Sequence, residues 1–82
     1  MKLPKKTEVM MKLKGKKFSG KFHDWFMIQE DGVDKIKGSR EKPGEDDREY
    51  MYRHTISSAV IMFHGKNVVE TKNSFYLLGK KL

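Results

Sequence analysis

Glycine and lysine residues near the N-terminus have almost the spacing of a nucleotide-binding P-loop. Gly15 is followed, after four residues, by the pair Gly20-Lys21. In a P-loop the next position is Ser or Thr, which holds magnesium, and the loop lies between a strand and a helix. Here that position is Phe22, the segment has the alternating aromatic residues of a strand, and no helical pattern follows it. We therefore interpret Gly15 as a turn and Gly20 as a bend in a strand.

The residues that could perform acid–base or nucleophilic chemistry are few and poorly spaced for it. His23 and Asp24 are adjacent, and adjacent strand residues point to opposite faces of a sheet. The pair Ser57-Ser58 lacks the Gly-x-Ser-x-Gly pattern of a nucleophile elbow, and hydroxyls at a strand break usually bond to nearby backbone groups. We therefore predict that the protein is not an enzyme.

The sequence also lacks patterns typical of metal sites and cofactor loops. The three histidines, His23, His54 and His64, have no ligand spacing such as His-x-x-x-His, and a histidine beside Gly65 is typical of a turn. The acidic stretch "EDGVD", residues 30–34, lacks the alternating ligands, distal Glu and flanking helices of a calcium loop, so it predicts a hairpin turn. We expect no metal ion and no cofactor.

Composition limits the class of protein. The chain has 82 residues, which suffices for one domain over residues 1–82, and it has no cysteine for disulfides or thiolate zinc sites. Its longest apolar run, from Ala59 to Phe63, is far shorter than the roughly 20 residues of a membrane span. These properties predict an intracellular protein, cytoplasmic or nuclear, with no membrane association.

Apolar residues alternate with polar ones in most of the chain, which is typical of strands. In residues 7–15 the alternation of Val9, Met11 and Leu13 predicts a first strand. A long, half-buried strand is predicted for residues 17–29, bent at Gly20 or bulged near His23-Asp24. Its expected faces are Phe18, Phe22, Phe26 and Ile28 on one side, and Lys17, Lys21, His23 and Trp25 on the other.

Turn residues divide the rest of the chain into short strands. A return strand from Val33 to Lys37 follows "EDG", and residues 38–49, rich in charge, Gly and Pro, are expected to form an exposed, flexible loop. The remaining chain contains, in order, a strand from Tyr50 to His54, a break at Ser57-Ser58, a strand from Ala59 to Phe63, and hairpin turns at residues 65–67 and 72–73. Six to seven short strands with almost no helix pattern predict an all-β fold, a small antiparallel barrel or rolled sheet.

Charge is distributed unevenly along the chain, whose formal net charge is +7. Residues 1–22 contain eight Lys and one Glu, residues 24–49 contain five basic and nine acidic side chains, and residues 50–82 contain five basic side chains and one acidic. If the two basic ends meet on the folded surface, they form one positive face that attracts phosphate or an acidic protein partner. The alternative interpretation is a lysine-rich surface that only confers solubility.

Aromatic residues are interspersed among the basic ones, as in small β-barrels that bind single-stranded nucleic acid by stacking bases and contacting phosphates. The predicted electrostatic contacts are Lys12, Lys14, Lys16, Lys17 and Lys21, and the predicted stacking or hot-spot residues are Trp25, Tyr50 and Tyr52, with Arg53 beside them. A lone Trp could instead cover the open end of a barrel. We predict a non-enzymatic, basic binding module that acts on nucleic acid or on a nucleic-acid-processing complex.

Three motifs follow one another between residues 22 and 79: "FHDWFMI", "HTISSAVI" and "VVETKNSFYLLG". This order resembles the SANTA domain, a small β-rich module of centromere-associated proteins. The matching positions are Trp25, Thr55, Ser57, Ser58, Thr71, Ser74, Tyr76, Leu78 and Gly79. The resemblance implies a β-rich fold and, as the alternative function, a protein–protein interaction adaptor that binds through a sheet edge or an apolar patch.

A lysine-rich chain of 82 residues with this ending also looks like the product of a short open reading frame of a phage or mobile element. That resemblance implies a regulator or inhibitor of host nucleic-acid machinery. In the adaptor alternative, Val68, Val69, Phe75 and Leu77 or their opposite-face neighbours matter more than the lysines. Exposed strand edges could also pair two copies into a homodimer.

Overall fold

A computed structural model describes residues 3–41 and 52–82, and for residues 52–54 it describes the backbone only. These residues form one helix and a single six-stranded sheet. The elements are α1 (Lys5–Lys14), β1 (Lys17–Glu30), β2 (Val33–Glu41), β3 (Tyr52–Ile56), β4 (Val60–His64), β5 (Val68–Thr71) and β6 (Ser74–Leu78). No helix within the described ranges is long and apolar enough to cross a membrane.

The first element is a helix, α1, so the strand predicted for residues 7–15 was wrong. The helix follows Pro4, whose carbonyl accepts hydrogen bonds from the backbone N–H groups of Thr7 at 3.0 Å and Glu8 at 3.2 Å. It ends at Gly15, whose φ of 65° is the left-handed conformation that terminates helices. Between these ends the chain is mostly Lys, Met, Leu and Glu. These side chains, which are not branched at Cβ, favour a helix, and this preference outweighs the alternation.

Strand β1 is irregular at both of the positions that the sequence offered as alternatives. Gly20 has a φ of 117° and Asp24 a φ of 50°, and the pairing register shifts beside each of them. Because an extra residue in a strand reverses the face to which later side chains point, the expected division into two faces was wrong. Phe22 and Trp25 both lie in the core, whereas Phe26, expected on the face of Phe22, is exposed.

The β1–β2 hairpin turns at Asp31 and Gly32, as predicted. Both residues have positive φ, 51° and 77°, which two-residue hairpin turns require. Strand β2 continues to Glu41, so the predicted strand end at Lys37 and the predicted loop start at residue 38 were wrong. The rest of the predicted loop, residues 42–49, lies outside the described residues.

Gly38 lies inside β2 because a larger side chain would not fit there. A Cβ atom at this position would be 2.9 Å from the carbonyl oxygen of His23 and 3.0 Å from the Cα atom of Trp25. The glycine therefore allows close packing against Trp25 and does not end the strand. Gly38 lies in a charged stretch of the sequence, which suggested a loop. Composition alone does not distinguish a glycine that ends a strand from one that allows close packing within it.

The predicted C-terminal strands are confirmed, with small shifts at their ends. Strand β3 begins at Tyr52 and β4 at Val60, and the turns at residues 65–67 and 72–73 connect β4 to β5 and β5 to β6. The break between β3 and β4 is also confirmed. There the hydroxyl of Ser57 accepts a hydrogen bond from the N–H of Ile36 at 2.9 Å and donates one to the carbonyl of Ser58 at 2.8 Å.

The sheet is mixed and open. Its strand order is β3-β2-β1-β6-β5-β4; β1 and β6 are parallel, and the other neighbours are antiparallel. The prediction of a β-rich chain was correct. The all-β assignment was wrong because of α1, and the small antiparallel barrel or rolled sheet was wrong because the sheet is not closed and pairs β1 with β6 in parallel. Alternation of apolar and polar residues favours a strand, but it does not show which strands are neighbours.

The main apolar cluster lies on one face of the sheet, whereas the buried Val68 and Phe75 alternate with its members and point to the other face. The buried members of this cluster are Phe22, Trp25, Ile36, Val69, Tyr76 and Leu78, with the partly buried Val60 packed against them. The ring centroids of Trp25 and Phe63 are 6.3 Å apart, so the sheet curves until β4 approaches β1 across the core. After β6 the chain continues along β1, because the N–H of Trp25 donates to the carbonyl of Lys80 at 3.1 Å and the N–H of Leu82 donates to that of Trp25 at 2.9 Å.

Candidate functional site

Five lysines from three separate stretches of the chain lie at the end of the sheet where β1 and β6 begin. They are Lys12 and Lys14 in the last turn of α1, Lys16 and Lys17 at the start of β1, and Lys72 in the β5–β6 turn. Lys17 is the Cα partner of Ser74, the first residue of β6, and Lys16 Nζ donates to the carbonyl of Thr71 at 2.8 Å. We call these five lysines the basic end.

A buried carboxylate lies next to the basic end. Glu70, in β5, is 1% exposed. Its Oε1 accepts a hydrogen bond from Lys14 Nζ at 2.7 Å, and its Oε2 accepts one from Lys16 Nζ at 2.5 Å. Both contacts are ion pairs, so Glu70 connects α1 and the start of β1 to the middle of the sheet.

His64, the last residue of β4, is the third partner of this carboxylate. Its Nε2 lies 2.9 Å from Glu70 Oε1, and its ring stacks on Phe75 with 5.4 Å between centroids. Because an ionised carboxylate only accepts hydrogen bonds, the proton of this contact is on Nε2. Two lysines and one histidine therefore satisfy both oxygens of Glu70.

Burial and hydrogen bonding act on the pKa of Glu70 in opposite directions. Burial raises the pKa because it disfavours the charged form, whereas hydrogen bonds from Lys14, Lys16 and His64 lower it. The hydrogen bonds, together with the charge of Lys16, prevail, and the pKa falls from the ordinary value of 4.5 to about 2. Glu70 is therefore ionised at neutral pH, and it is too weak a base there to take a proton in catalysis.

The lysines of the basic end fall into two groups. Lys14 and Lys16 are held by Glu70. Lys12, Lys17 and Lys72 are exposed, and none of the three forms an ion pair with another residue that the structure describes. Among the described residues, the ion pairs of these five lysines are those of Lys14 and Lys16 with Glu70. Of the basic side chains in residues 50–82, Lys72 lies at this end, whereas Lys81 lies over the ring of Trp25.

Lys21, the remaining predicted lysine, lies farther along β1. Its Cα partner is Leu77, and a Cβ atom on Gly79 would be 3.1 Å from Lys21 Cε. The side chain therefore lies beside the C-terminal segment that contains Lys80. The structure places Lys21 next to this segment and apart from the first residues of β1 and β6.

Trp25 occupies a different environment from the one predicted, because it is buried in the core. Its residual exposure is 7%, its indole Nε1 donates to the carbonyl of Gly79 at 3.0 Å, and Lys81 Nζ lies 5.4 Å from the ring centroid. A ring enclosed in this way has no open face on which a base could stack. The bulge at Asp24 is the cause, because it turns Trp25 away from the face of Lys21.

The other predicted contact residues are not brought to the basic end by the described structure. Tyr50 lies outside the described residues. Tyr52 and Arg53 are in β3, with Tyr52 paired to Arg40 of β2, and the side chains of both lie outside the description. Strand β3 is the edge strand farthest from β4, and two strands separate it from β6.

The apolar residues proposed for an adaptor surface are mostly buried. Val68, Val69 and Phe75 are fully covered, and Leu77 is half-buried. They therefore offer no exposed apolar patch. Strands β5 and β6 also offer no open edge, because each has a neighbouring strand on both sides.

Sequence reasoning missed Glu70 and treated His64 as a simple turn residue. A pattern that could have identified them was present, since Glu70 is the one acidic residue among residues 50–82 and lies in the strand "VVET". A lone carboxylate in an apolar strand requires cationic partners when the strand is buried. The lysines near residue 14 could have been identified as the cationic partners of Glu70. The sequence does not show, however, that α1 lies against β5.

The opposite end of β1 has the opposite charge. Glu30, Asp31 and Asp34 cluster around the β1–β2 turn, where Lys35 Nζ pairs with Glu30 Oε1 at 3.0 Å. Strand β1 thus begins at the basic end and finishes at a turn with an excess of acidic groups. This polarity follows directly from the uneven charge of the sequence.

Within residues 3–41 and 52–82, no group of three or more His, Cys, Asp or Glu side chains is arranged to hold a metal ion. Comparison with protein-family models, curated proteins and solved structures finds no match to this chain. The resemblances to the SANTA domain and to short phage proteins therefore remain predictions. A function for this chain has to be argued from the basic end and its surroundings.

Proposed function

We propose that this chain is a non-enzymatic binding module that engages nucleic acid, free or within a nucleic-acid-processing complex, through its basic end. The observation that supports this most is the convergence of five lysines from α1, β1 and the β5–β6 turn beside a single buried carboxylate. Clustered lysines release the counterions of a phosphate backbone when they bind it, which drives association.

The ligand of this site is the phosphate backbone and not the bases. Lysine acts as a point charge on a flexible stem, so it suits phosphate oxygens without reading a sequence. Base stacking needs an exposed aromatic face. Trp25, Tyr76 and Phe75 are all buried, and the exposed Phe26 and Phe63 lie in the second half of β1 and in β4, outside the basic end. This differs from the single-strand stacking mode that the sequence pattern favoured.

Glu70 contributes by holding part of the site in place before the ligand arrives. The ion pairs to Lys14 and Lys16 fix the end of α1 against β5, so Lys12 and Lys17 project from a rigid support. A surface that is ordered in advance loses less conformational entropy on binding. The basic end is therefore a preformed site, although its outer lysines remain mobile side chains.

The direct test removes charge from the outer lysines while leaving Glu70 and its partners unchanged. Binding of a fluorescent duplex of 20 base pairs is measured by anisotropy at several salt concentrations, for the wild type and for the triple variant Lys12→Gln, Lys17→Gln, Lys72→Gln. We expect affinity to fall by about tenfold or more and the slope of log K against log salt to become shallower by about 2 to 3.

A matched control removes three lysines from the other end of α1 and the nearby β4–β5 turn: Lys5→Gln, Lys6→Gln, Lys66→Gln. It loses the same total charge, so it separates a local site from a general effect of net charge. Its affinity should stay within about threefold of the wild type, and both variants should melt like the wild type because all six side chains are exposed. Equal losses in the two variants, or none in the first, would contradict the proposal.

A further inference from the structure

Strand β4 is an edge strand with exposed apolar side chains. It pairs with β5 on one side and ends the strand order of the described sheet on the other. Ile61 and Met62 are each 54% exposed, and Phe63 is 42% exposed. Edge strands are normally protected by charged residues or proline, but the sequence "VIMF" contains neither.

The exposed side chains of β4 point to both faces of the sheet. Met62 is the Cα partner of Glu70 and Phe63 is that of Val69, so neighbouring side chains alternate between the two faces. A partner that contacts both faces has to lie along the edge itself. An extended peptide that adds to the sheet as a further strand has this geometry.

Lysines flank β4 at both ends. At its start, the backbone N–H of Lys72 donates to the carbonyl of Ala59 at 2.8 Å. At its end, Lys66 is in the following turn, and a groove begins at His64 and Gly65. The groove has an apolar floor with Val9 and Met10 of α1, and it is lined by Lys5 and Lys6.

The charges around β4 determine which occupant fits. Residues 59–67 contain no acidic side chain. A second copy of this chain, with net charge +7, would bring its own lysine-flanked edge against this one and repel it. A peptide with apolar residues in the middle and acidic residues at its ends would instead match both the strand and its flanks.

We propose that β4 and the groove at its end form a docking site for an extended segment of a partner protein, with apolar central residues and Asp or Glu on both sides. This site is distinct from the basic end, apart from the shared Lys72. The partner strand hydrogen-bonds to the edge of β4 that has no neighbouring strand among the described residues, and its alternate side chains contact Ile61, Met62 and Phe63. Its acidic flanks contact Lys66, Lys72 and, from α1, Lys5 and Lys6. The proposal does not depend on nucleic-acid binding.

The test uses two synthetic peptides of about ten residues with the same centre of alternating Val and Thr. One has two acidic residues at each end and the other has two lysines at each end. Each is titrated into isotopically labelled protein and followed by NMR. We expect the acidic-flanked peptide to bind at least about tenfold more tightly, and the shifted amides to lie in residues 59–67 and the first half of α1.

Two double variants locate the binding. Ile61→Lys with Met62→Lys places charge on the exposed edge and should reduce affinity for the acidic-flanked peptide by about tenfold or more. Leu13→Lys with Val33→Lys makes the same chemical change at exposed positions away from β4 and should leave affinity unchanged. Binding of duplex DNA by the Ile61→Lys, Met62→Lys variant gives a readout that is independent of peptide binding, because the proposed nucleic-acid site does not include Ile61 or Met62.

Several outcomes would overturn the proposal. These are equal affinity for the two peptides, equal binding by the two double variants, or no shifted amide in β4 at millimolar peptide. Self-association in sedimentation experiments that the Ile61→Lys, Met62→Lys variant abolishes would identify a second copy as the occupant. Competition by duplex DNA that depends on Ile61 and Met62 would identify nucleic acid as the occupant.

Discussion

Glu70 combines deep burial with three hydrogen-bonding cationic or imidazole partners, so its effect on stability exceeds that of a surface carboxylate. An exposed ion pair contributes little because water already solvates both charges. Removing the charge of Glu70 leaves Lys16, whose side chain is only 15% exposed, without its anion. Loss of one partner of a buried pair is strongly destabilising, because the remaining charge is left without compensation.

The pKa of Glu70 predicts a specific dependence of stability on pH. The folded-state pKa of about 2 is below the ordinary 4.5, so the stabilisation is fully present above pH 4.5 and is lost as pH falls toward 2. A pKa lowered to this extent corresponds to about 3 kcal/mol of free energy of unfolding. In urea denaturation at pH 7, Glu70→Gln should cost about this amount, and the difference from wild type should shrink toward pH 2.

Glu30→Gln is the matched control for this experiment, since Glu30 pairs with Lys35 on the surface. It should change the free energy of unfolding by no more than about 0.5 kcal/mol at pH 7. A constant difference between wild type and Glu70→Gln at every pH would show that shape, and not charge, determines the contribution of Glu70.

Polar contacts attach the C-terminal end of helix α1 to the sheet. Val9 and Leu13, two of its apolar residues, are exposed, and Thr7 is its one buried residue. A ten-residue helix is marginal by itself in water, so α1 depends on these contacts. The ion pairs of Lys14 and Lys16 with Glu70 are the strongest of them.

The double variant Lys14→Met, Lys16→Met should therefore release α1 while the sheet stays folded. Hydrogen exchange measured by mass spectrometry should accelerate by about tenfold or more for the amides of α1, and by a smaller factor for β5, where Glu70 loses the same two partners. Lys5→Met with Lys6→Met removes the same charge at the other end of the helix and should leave exchange unchanged. If hydrogen exchange accelerated equally in α1 and in the sheet, the helix would not unfold independently of the sheet.

Local residue patterns predicted those elements that local interactions determine. The turns at Asp31-Gly32 and at residues 65–67 and 72–73, and the irregularities at Gly20 and Asp24, were all identified. The sequence also contained residues typical of helix ends, Pro4 and Gly15. The alternation of Val9, Met11 and Leu13 nevertheless favoured a strand in this segment. The parallel pairing of β1 with β6 and the partners of Glu70 involve residues far apart in the chain, so neighbouring residues did not predict them.

At the scale of the molecule, the described residues separate charge, with lysines around the start of β1 and acidic side chains around the β1–β2 turn. Such a separation would orient the protein toward an anionic ligand before contact. Phosphate recognition by lysines without aromatic contacts predicts that bases are unimportant. A base-bearing single strand and an abasic strand of equal length should bind within about threefold of each other, with similar salt dependence. Anisotropy titrations with the two strands measure this directly.

Binding at least about tenfold tighter to the base-bearing strand would contradict recognition of phosphate alone. Stacking on an aromatic residue would then be required, and Tyr52→Ala would be the first variant to compare. Heparin provides a further check, because a sulfated polymer without bases should compete with duplex DNA for the basic end.

The parallel pair of β1 and β6 has a consequence for synthesis on the ribosome. The first half of β1 emerges well before its partner residues Ser74 to Leu78. The β1–β2 hairpin can form while translation continues, whereas the seam between β1 and β6 closes only after Leu78 has emerged. Until then, Phe18 and Phe22 have no β6 beside them, so a stalled nascent chain would present these aromatic residues to chaperones.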